Sequence, residues 1–418
     1  MKQIRYNITP MFGSDPEFFF TTNGQVVGSE KIIPPAGILT GNSKFVIDGV
    51  QAELNPSPNT CRANFGNEIS RCFRELYNKL KAEGKNVEVS FNPLVNITQE
   101  EMDSLSEKSR QFGCAPSLNA YTGAESKIKV DAAKYLCRSA GGHIHIGHNS
   151  SGPLLKILHD VQKIVPFLDL MVGNTCVLID RDESNVERRR VYGRCGEFRT
   201  KPYGLEYRTL SNFWLRSYQL MSLVLGITRF AVNVVWQSDQ DKTDYVQEFM
   251  SKVKTYRVKR AINRNDFDLA MENFERIRPL WEEATSICQN LGSESTFSIS
   301  CVTMHEFLYF VSKIKESGLE YWFKDSPLQH WTKLPDGHHC GWESFSMGKV
   351  REEMIQKGLA KSKNVTKEHC GYCGLELIKC ENKNNYCKSS FYPSNKRTHR
   401  IWEYTTEKSS GVPAMASV

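Results

Sequence analysis

Several features that would settle a protein's class at once are scarce in this sequence. Long apolar runs are one: the most hydrophobic stretch, LMSLVLGITRFAVNVVW from Leu220 to Trp236, has Arg229 within it. It is shorter than the ~20 residues a bilayer span needs, so a buried helix is expected and no membrane association. Charge of one sign is another: 54 Lys and Arg are mixed among 47 Asp and Glu, a formal +7 over 418 residues. That balance is too mild for a polyanion-binding surface, and no nucleic-acid partner is expected. The chain opens with no basic-then-apolar leader, and its 13 cysteines are odd in number and scattered. Free thiols in a reducing cytoplasm are expected rather than a disulfide framework. Internal repeats are lacking too, which sets aside solenoid architectures.

What is present supports a sizeable core, with 40% hydrophobic and 11% aromatic residues. The length exceeds that of one ordinary compact domain. From Gly13 to Pro56 the text is strand-like, punctuated at Asn23-Gly24, Pro34-Pro35 and Gly41-Asn42. Phe65, Ile69, Phe73, Leu76 and Leu80 have helical spacing, and TQEE, Thr98 to Glu101, matches a capping box. GGHIHIG, Gly141 to Gly147, alternates as a strand, and a helical run follows from Leu154 to Val172. Short strands are expected around GEFR and GLEYRTL. Dense alternation of this kind predicts an α+β fold for residues 1–240. Residues 241–330 read as a helical extension, and 331–418 as a polar region rich in Cys and His. The basic run from Lys252 to Arg264 reads as a solvated helix face.

Residues two apart on a strand share a face. Asp15 and Glu17 then lie together, as do His143 and His145, Glu197 and Arg199, and Glu206 and Arg208, while Ile144, Ile146, Phe198, Leu205 and Tyr207 take the opposite faces. A half-solvated antiparallel sheet gives the same alternation. Solvated faces, however, favour Thr, Lys, Ser and Gln, whereas this set is almost wholly Asp, Glu, His and Arg. Carboxylates crowded together repel unless a cation sits among them. Oxygen-rich clusters with an imidazole suit Mg²⁺ or Mn²⁺, and neighbouring arginines suit phosphate oxygens. A nucleoside triphosphate with its divalent metal is the implied guest. Asp48 and Glu53 add two more acids; being five apart, they share a face only if the chain turns or bulges at Gly49.

DPEFFF, AELNP, GGHIHIG, RRRVYGRCGEFR and GLEYRTL occur in that order. Together they resemble the glutamine synthetase and glutamate-cysteine ligase superfamily, and most of all the phage phiEco32-like COOH-NH2 ligases of type 2, over roughly residues 10–235. The resemblance implies a curved antiparallel sheet forming an active-site funnel with helices on its outer face. It implies ATP-dependent joining of a carboxylate, on a small molecule or a protein, to an amine through an acyl phosphate. Asp15, Glu17, Asp48, Glu53, His143 and Glu206 are the metal ligands it suggests, and Arg190, Arg194, Arg199, Arg208 and His145 the groups that meet nucleotide phosphate. Two other readings share these residues: a guanidino kinase, and a non-catalytic descendant that binds a nucleotide or a partner protein. A phage-encoded enzyme would act in the host cytoplasm.

One further motif stands apart. Cys370, Cys373, Cys380 and Cys387 are spaced C-x2-C-x6-C-x6-C. The close first pair resembles a zinc knuckle, and a structural Zn²⁺ there could staple a tail poor in apolar residues. Free thiols in a loop are the plainer alternative.

Overall fold

The structure is a computed structural model, and the described residues are 10–60, 62–113, 116–126, 130–132, 134–148, 152–286 and 327–332. The tail cysteines Cys370, Cys373, Cys380 and Cys387 lie outside them. Cys72, Cys137, Cys176 and Cys195 lie within and form no disulfide.

Two antiparallel sheets hold the described strands, apart from a two-stranded ribbon. The first has β1 (Met11–Gly13), β11 (Ile144–Gly147), β13 (Gly204–Tyr207), β12 (Glu197–Lys201) and β9 (Leu118–Asn119) side by side in that order. The second runs β3 (Gln25–Val27), β2 (Glu17–Thr22), β6 (Gln51–Asn55), β5 (Ser43–Asp48) and β4 (Ile38–Thr40), with β7 (Glu88–Ser90) also on β2. The ribbon is β8 (Leu94–Asn96) with β10 (Cys137–Ser139). Only Ser14, Asp15 and Pro16 separate β1 from β2, so one stretch of chain passes from sheet to sheet. Backbone bonds bind this seam: Glu17 N–H donates to Gly141 O at 2.9 Å, and Leu54 N–H donates to Pro16 O at 3.0 Å. The result is the curved antiparallel surface of an α+β fold.

The expected strands and helices appear with informative exceptions. The helix Arg62–Ala82 buries all five residues that announced it. Thr98 caps Gln99–Asp103 by accepting from Glu101 N–H, but the Glu101 carboxylate turns away, to Gly28 N–H and Lys31. The single run expected over 154–172 is divided at Asp160 into Pro153–His159 and Val161–Leu168, which continues as the π-helix Asp169–Gly173. GGHIHIG is extended only from Ile144, because its glycines serve another purpose. A Cβ on Gly142 would stand 2.4 Å from both Ser211 O and Trp214 Nε1, so only glycine lets the chain pass that close.

The apolar helix Tyr218–Asp241 is enclosed by protein, and Arg229 within it donates to Thr60 O. Residues 241–286 contribute Tyr245, Phe249, Ile262, Phe274 and Trp281 to the same core as residues 1–240. The helical extension therefore packs onto the catalytic-size unit rather than around a core of its own. In Thr255–Asn263 Val258, Ala261 and Ile262 are buried and Arg260 is exposed, while Arg257 meets Glu272 and Lys259 lies over the Tyr121 ring.

The core beneath the seam is aromatic. Phe18 makes edge-to-face contacts with Phe20, Phe45, Phe73 and Phe91, at centroid separations of 5.4 to 6.0 Å. Phe19 points the other way, into a smaller cluster with Val50, Ile97, Met102 and Leu105. Strand β2 is thus buried on both faces. Replacing Phe18 by Ala removes four ring contacts at once; a loss of about 3–5 kcal/mol is expected in denaturant unfolding. A cost below about 1 kcal/mol would show that the site's footing does not rest on this cluster.

Candidate functional site

Asp48 and Glu53 do share a face, and the turn that allows it is visible. Asp48 pairs with Gln51, so Gly49 and Val50 form a two-residue hairpin, with Gly49 at φ +68°. That conformation suits a residue without a Cβ. Beyond the hairpin Glu53 pairs with Val46 on β5 and with Glu17 on β2. Oxygens of Glu17, Asp48 and Glu53 come within 4.8 Å of one another. Glu17 accepts from Gly141 N–H at 2.8 Å and from Tyr192 Oη–H at 3.0 Å. Glu53 accepts from Asn55 at 2.8 Å. Asp48 Oδ2 is buried with no hydrogen-bond partner. Burial raises all three acids, and the neighbouring carboxylates add to it: Asp48 is pushed up to about 8 and Glu53 to about 9. Three acids whose charges cannot coexist, one with an orphaned oxygen, form an all-oxygen donor set that fits a hard divalent cation.

A second set of donors stands across the seam. Gly13, His145, Glu206 and Arg199 lie in one row across β1, β11, β13 and β12. Ligand-type atoms of Asp15, His145 and Glu206 lie within 4.8 Å of one another. Burial would raise Asp15, but His143 and His145 beside it hold it well below the usual carboxylate range. Glu206 is completely buried yet held low, chiefly by His143 and Arg208. Its Oε1 meets Arg208 and lies 3.6 Å from Arg199 Nη1, and its Oε2 is 2.7 Å from Lys201 Nζ.

The two histidines divide differently from the expectation. His143, expected as the metal ligand, is buried and has both ring nitrogens engaged: Nδ1 with Asp15 Oδ1 at 2.8 Å, Nε2 with the Tyr192 hydroxyl. Burial, together with Arg208, pushes it down to about 4. His145, expected at phosphate, instead sits with the acids, its Nε2 at 3.2 Å from Asp15 and its Nδ1 at 2.8 Å from Tyr203 Oη. His143 therefore orients Asp15 from beneath, and His145 is the imidazole open to the cavity.

That cavity has a volume of about 750 Å³. Asp15, Asp48 and Glu53 line it, and so do His145, His148, Arg199, Lys201 and Tyr203. Glu17, Glu206 and Arg208 form the layer beneath. Arg208, expected at nucleotide phosphate, is fully buried, bound to Glu206 and lying 5.1 Å from the Tyr192 ring. Arg190 pairs with Glu187 at 2.8 Å on the surface, and Arg194 folds back on the carbonyls of Arg189 and Arg190. Neither lines the cavity. The completely buried Arg188 is a backbone clip, donating to Ala140 O, Thr209 O and Leu210 O. Sequence reasoning passed over Lys201, Tyr203 and Tyr192. Lys201 had a signal, since it shares strand parity with Arg199; Tyr192 had none, because its place depends on how the chain turns after residue 191.

The family model described as phage phiEco32-like COOH.NH2 ligase-type 2 matches residues 123–290, a segment that contains His145, Arg199 and Glu206. No curated protein matches the chain. Among solved structures it is similar to the complex between prokaryotic ubiquitin-like protein Pup and its ligase PafA, at 10% identity and a TM-score of 0.38, over 84% of this chain and 69% of that one.

The acid set makes a testable demand on stability. The folded-state values of Asp48 and Glu53 lie above their unfolded values, so their contribution is full at low pH and is lost as pH rises through about 8 to 9. Without divalent ions, the thermal midpoint is expected to fall between pH 7 and pH 9, a window in which His143 is neutral both folded and unfolded. Glu53→Gln is expected to flatten that fall. A midpoint that rises over this window in EDTA would contradict the crowding of these acids.

Proposed function

We propose that the protein joins a carboxylate to an amine at the expense of ATP, through an acyl phosphate. The observation that carries this is the meeting of two donor sets with Arg199 and Lys201 at one cavity. In this reading Glu17, Asp48 and Glu53 would hold one divalent ion, and Asp15, His145 and Glu206 would hold a second. Mg²⁺ or Mn²⁺, when bound, supplies positive charge against the triphosphate and the transferring phosphoryl group.

The rest of the work falls to side chains of this chain. A carboxylate is a poor electrophile at neutral pH. Its oxygen attacks the γ-phosphorus, the bond to the bridging oxygen breaks, and ADP leaves. The amine nitrogen then attacks the acyl carbon and inorganic phosphate departs as the nitrogen gives up a proton. Arg199, a quarter exposed at the wall, meets phosphate oxygens and spreads charge in the in-line transfer. Arg208 and His143 fix Glu206 and Asp15 from below, so that these acids need not reorganise when the substrate arrives. The amine could be a free amino acid, a polyamine or a protein side chain.

Purified protein incubated with ATP, Mg²⁺ and pooled carboxylates and amines is expected to release ADP and a condensed product detectable by mass. Glu53→Gln and Glu17→Gln are expected to lower turnover by about 10²-fold or more with the fold retained. A phosphorylated guanidine without amide formation would point to a kinase instead. Mg-ATP binding without turnover would indicate a non-catalytic binder, and absence of both would overturn the reading.

A further inference from the structure

Glu206 is the most heavily compensated acid in the site. Its side chain is completely buried, and three cations surround it: Arg208 and Arg199 on Oε1, Lys201 on Oε2. The three are not equivalent. Arg208 is as buried as Glu206 itself and belongs to the layer beneath. Arg199 is the more distant, at 3.6 Å. Lys201 is 28% exposed, lines the cavity, and reaches Oε2 at 2.7 Å from the last residue of β12. Its ammonium is a compact point charge on a four-carbon stem with freely rotating bonds, unlike the planar fork of an arginine.

The position matters because Glu206 also belongs to the donor set with Asp15 and His145. An ammonium on Glu206 and a divalent ion in that set answer the same negative charge, and at such separations they repel strongly. Resting on the functional reading above, we propose that Lys201 is the resident counter-cation of Glu206. It yields that carboxylate to the divalent ion and turns its ammonium to the phosphate oxygens that arrive with it. The exchange keeps the number of positive charges at Glu206 in step with the negative charges in the cavity. It also makes binding ordered: the bare cation is opposed by Lys201, whereas the cation carried on a nucleoside triphosphate brings the anion that draws Lys201 away. The stem of Lys201 is long enough for this, and the stiff, buried Arg208 is not free to do it.

The test uses the full-length protein and compares Lys201→Gln with the parent. In Mn²⁺ titrations followed by electron paramagnetic resonance, without nucleotide, Lys201→Gln is expected to bind Mn²⁺ about tenfold more tightly, because a unit charge has been removed beside the ion. In the presence of Mg²⁺ the same variant is expected to bind ATP about tenfold more weakly. Lys201→Arg, which keeps the charge, is expected to retain the parent's weak Mn²⁺ binding. Circular dichroism and the thermal midpoint establish that the variants are folded. A Lys201→Gln variant that is folded and binds Mn²⁺ no more tightly than the parent overturns the proposal while leaving the functional reading intact. A parent that takes up neither Mn²⁺ nor Mg-ATP overturns both.

Discussion

Like charges cannot be gathered in a buried layer without compensation, and the architecture of this site follows from that constraint. Asp15, Glu17, Asp48, Glu53 and Glu206 come together where two sheets share one stretch of chain. The protein meets the repulsion in two ways. Around Asp15 and Glu206 it supplies imidazoles and cations: His143 and His145 hold Asp15 low, and His143 and Arg208 hold Glu206 low, with Arg199 and Lys201 beside it. Around Glu17, Asp48 and Glu53 burial and mutual repulsion outweigh what Arg208 and Arg199 offer, and all three are raised, Asp48 to about 8 and Glu53 to about 9. The site is therefore asymmetric: protein groups offset the acids of one half, while the acids of the other are raised and would lose protons on taking up a divalent metal.

Such a site needs a rigid frame, since each acid would relax outward if the backbone permitted it. The frame comes from short-range devices. The Gly49 hairpin turns Asp48 and Glu53 to one face, and Gly142 lets the chain pass against Ser211 and Trp214. Arg188 ties three backbone carbonyls from two segments together. On the far side of β13, the Tyr207 and Thr209 hydroxyls donate to the buried Asp169 carboxylate, which also accepts from Cys195. Strand β13 is thus held from behind while it presents Glu206 in front. The aromatic cluster around Phe18 does the same for β2.

Much of this was legible in the residues. Strand parity left His145, Glu206 and Arg199 free to share one face, and their cross-strand pairing puts them in one row, because a strand's side chains alternate whatever sheet it joins. Even the turn at Gly49 could be required from spacing alone. The role of each residue within the groups was less legible. His143 and His145 share a parity, and only the third dimension shows that one is clamped between Asp15 and Tyr192 while the other opens to the cavity. Arg190, Arg194, Arg199 and Arg208 were equivalent on paper; burial and partners leave Arg199 at the wall and put the others elsewhere.

The sequence by itself determined which residue types meet, since alternation and turn chemistry are local properties of a few consecutive residues. The tertiary structure decided depth and partnership: which imidazole is exposed, which guanidinium is buried, and that Lys201 rests on Glu206. Those depend on contacts between segments as distant as Asp15 and Glu206. Such contacts form only when the sheets curve together, and no local periodicity records them.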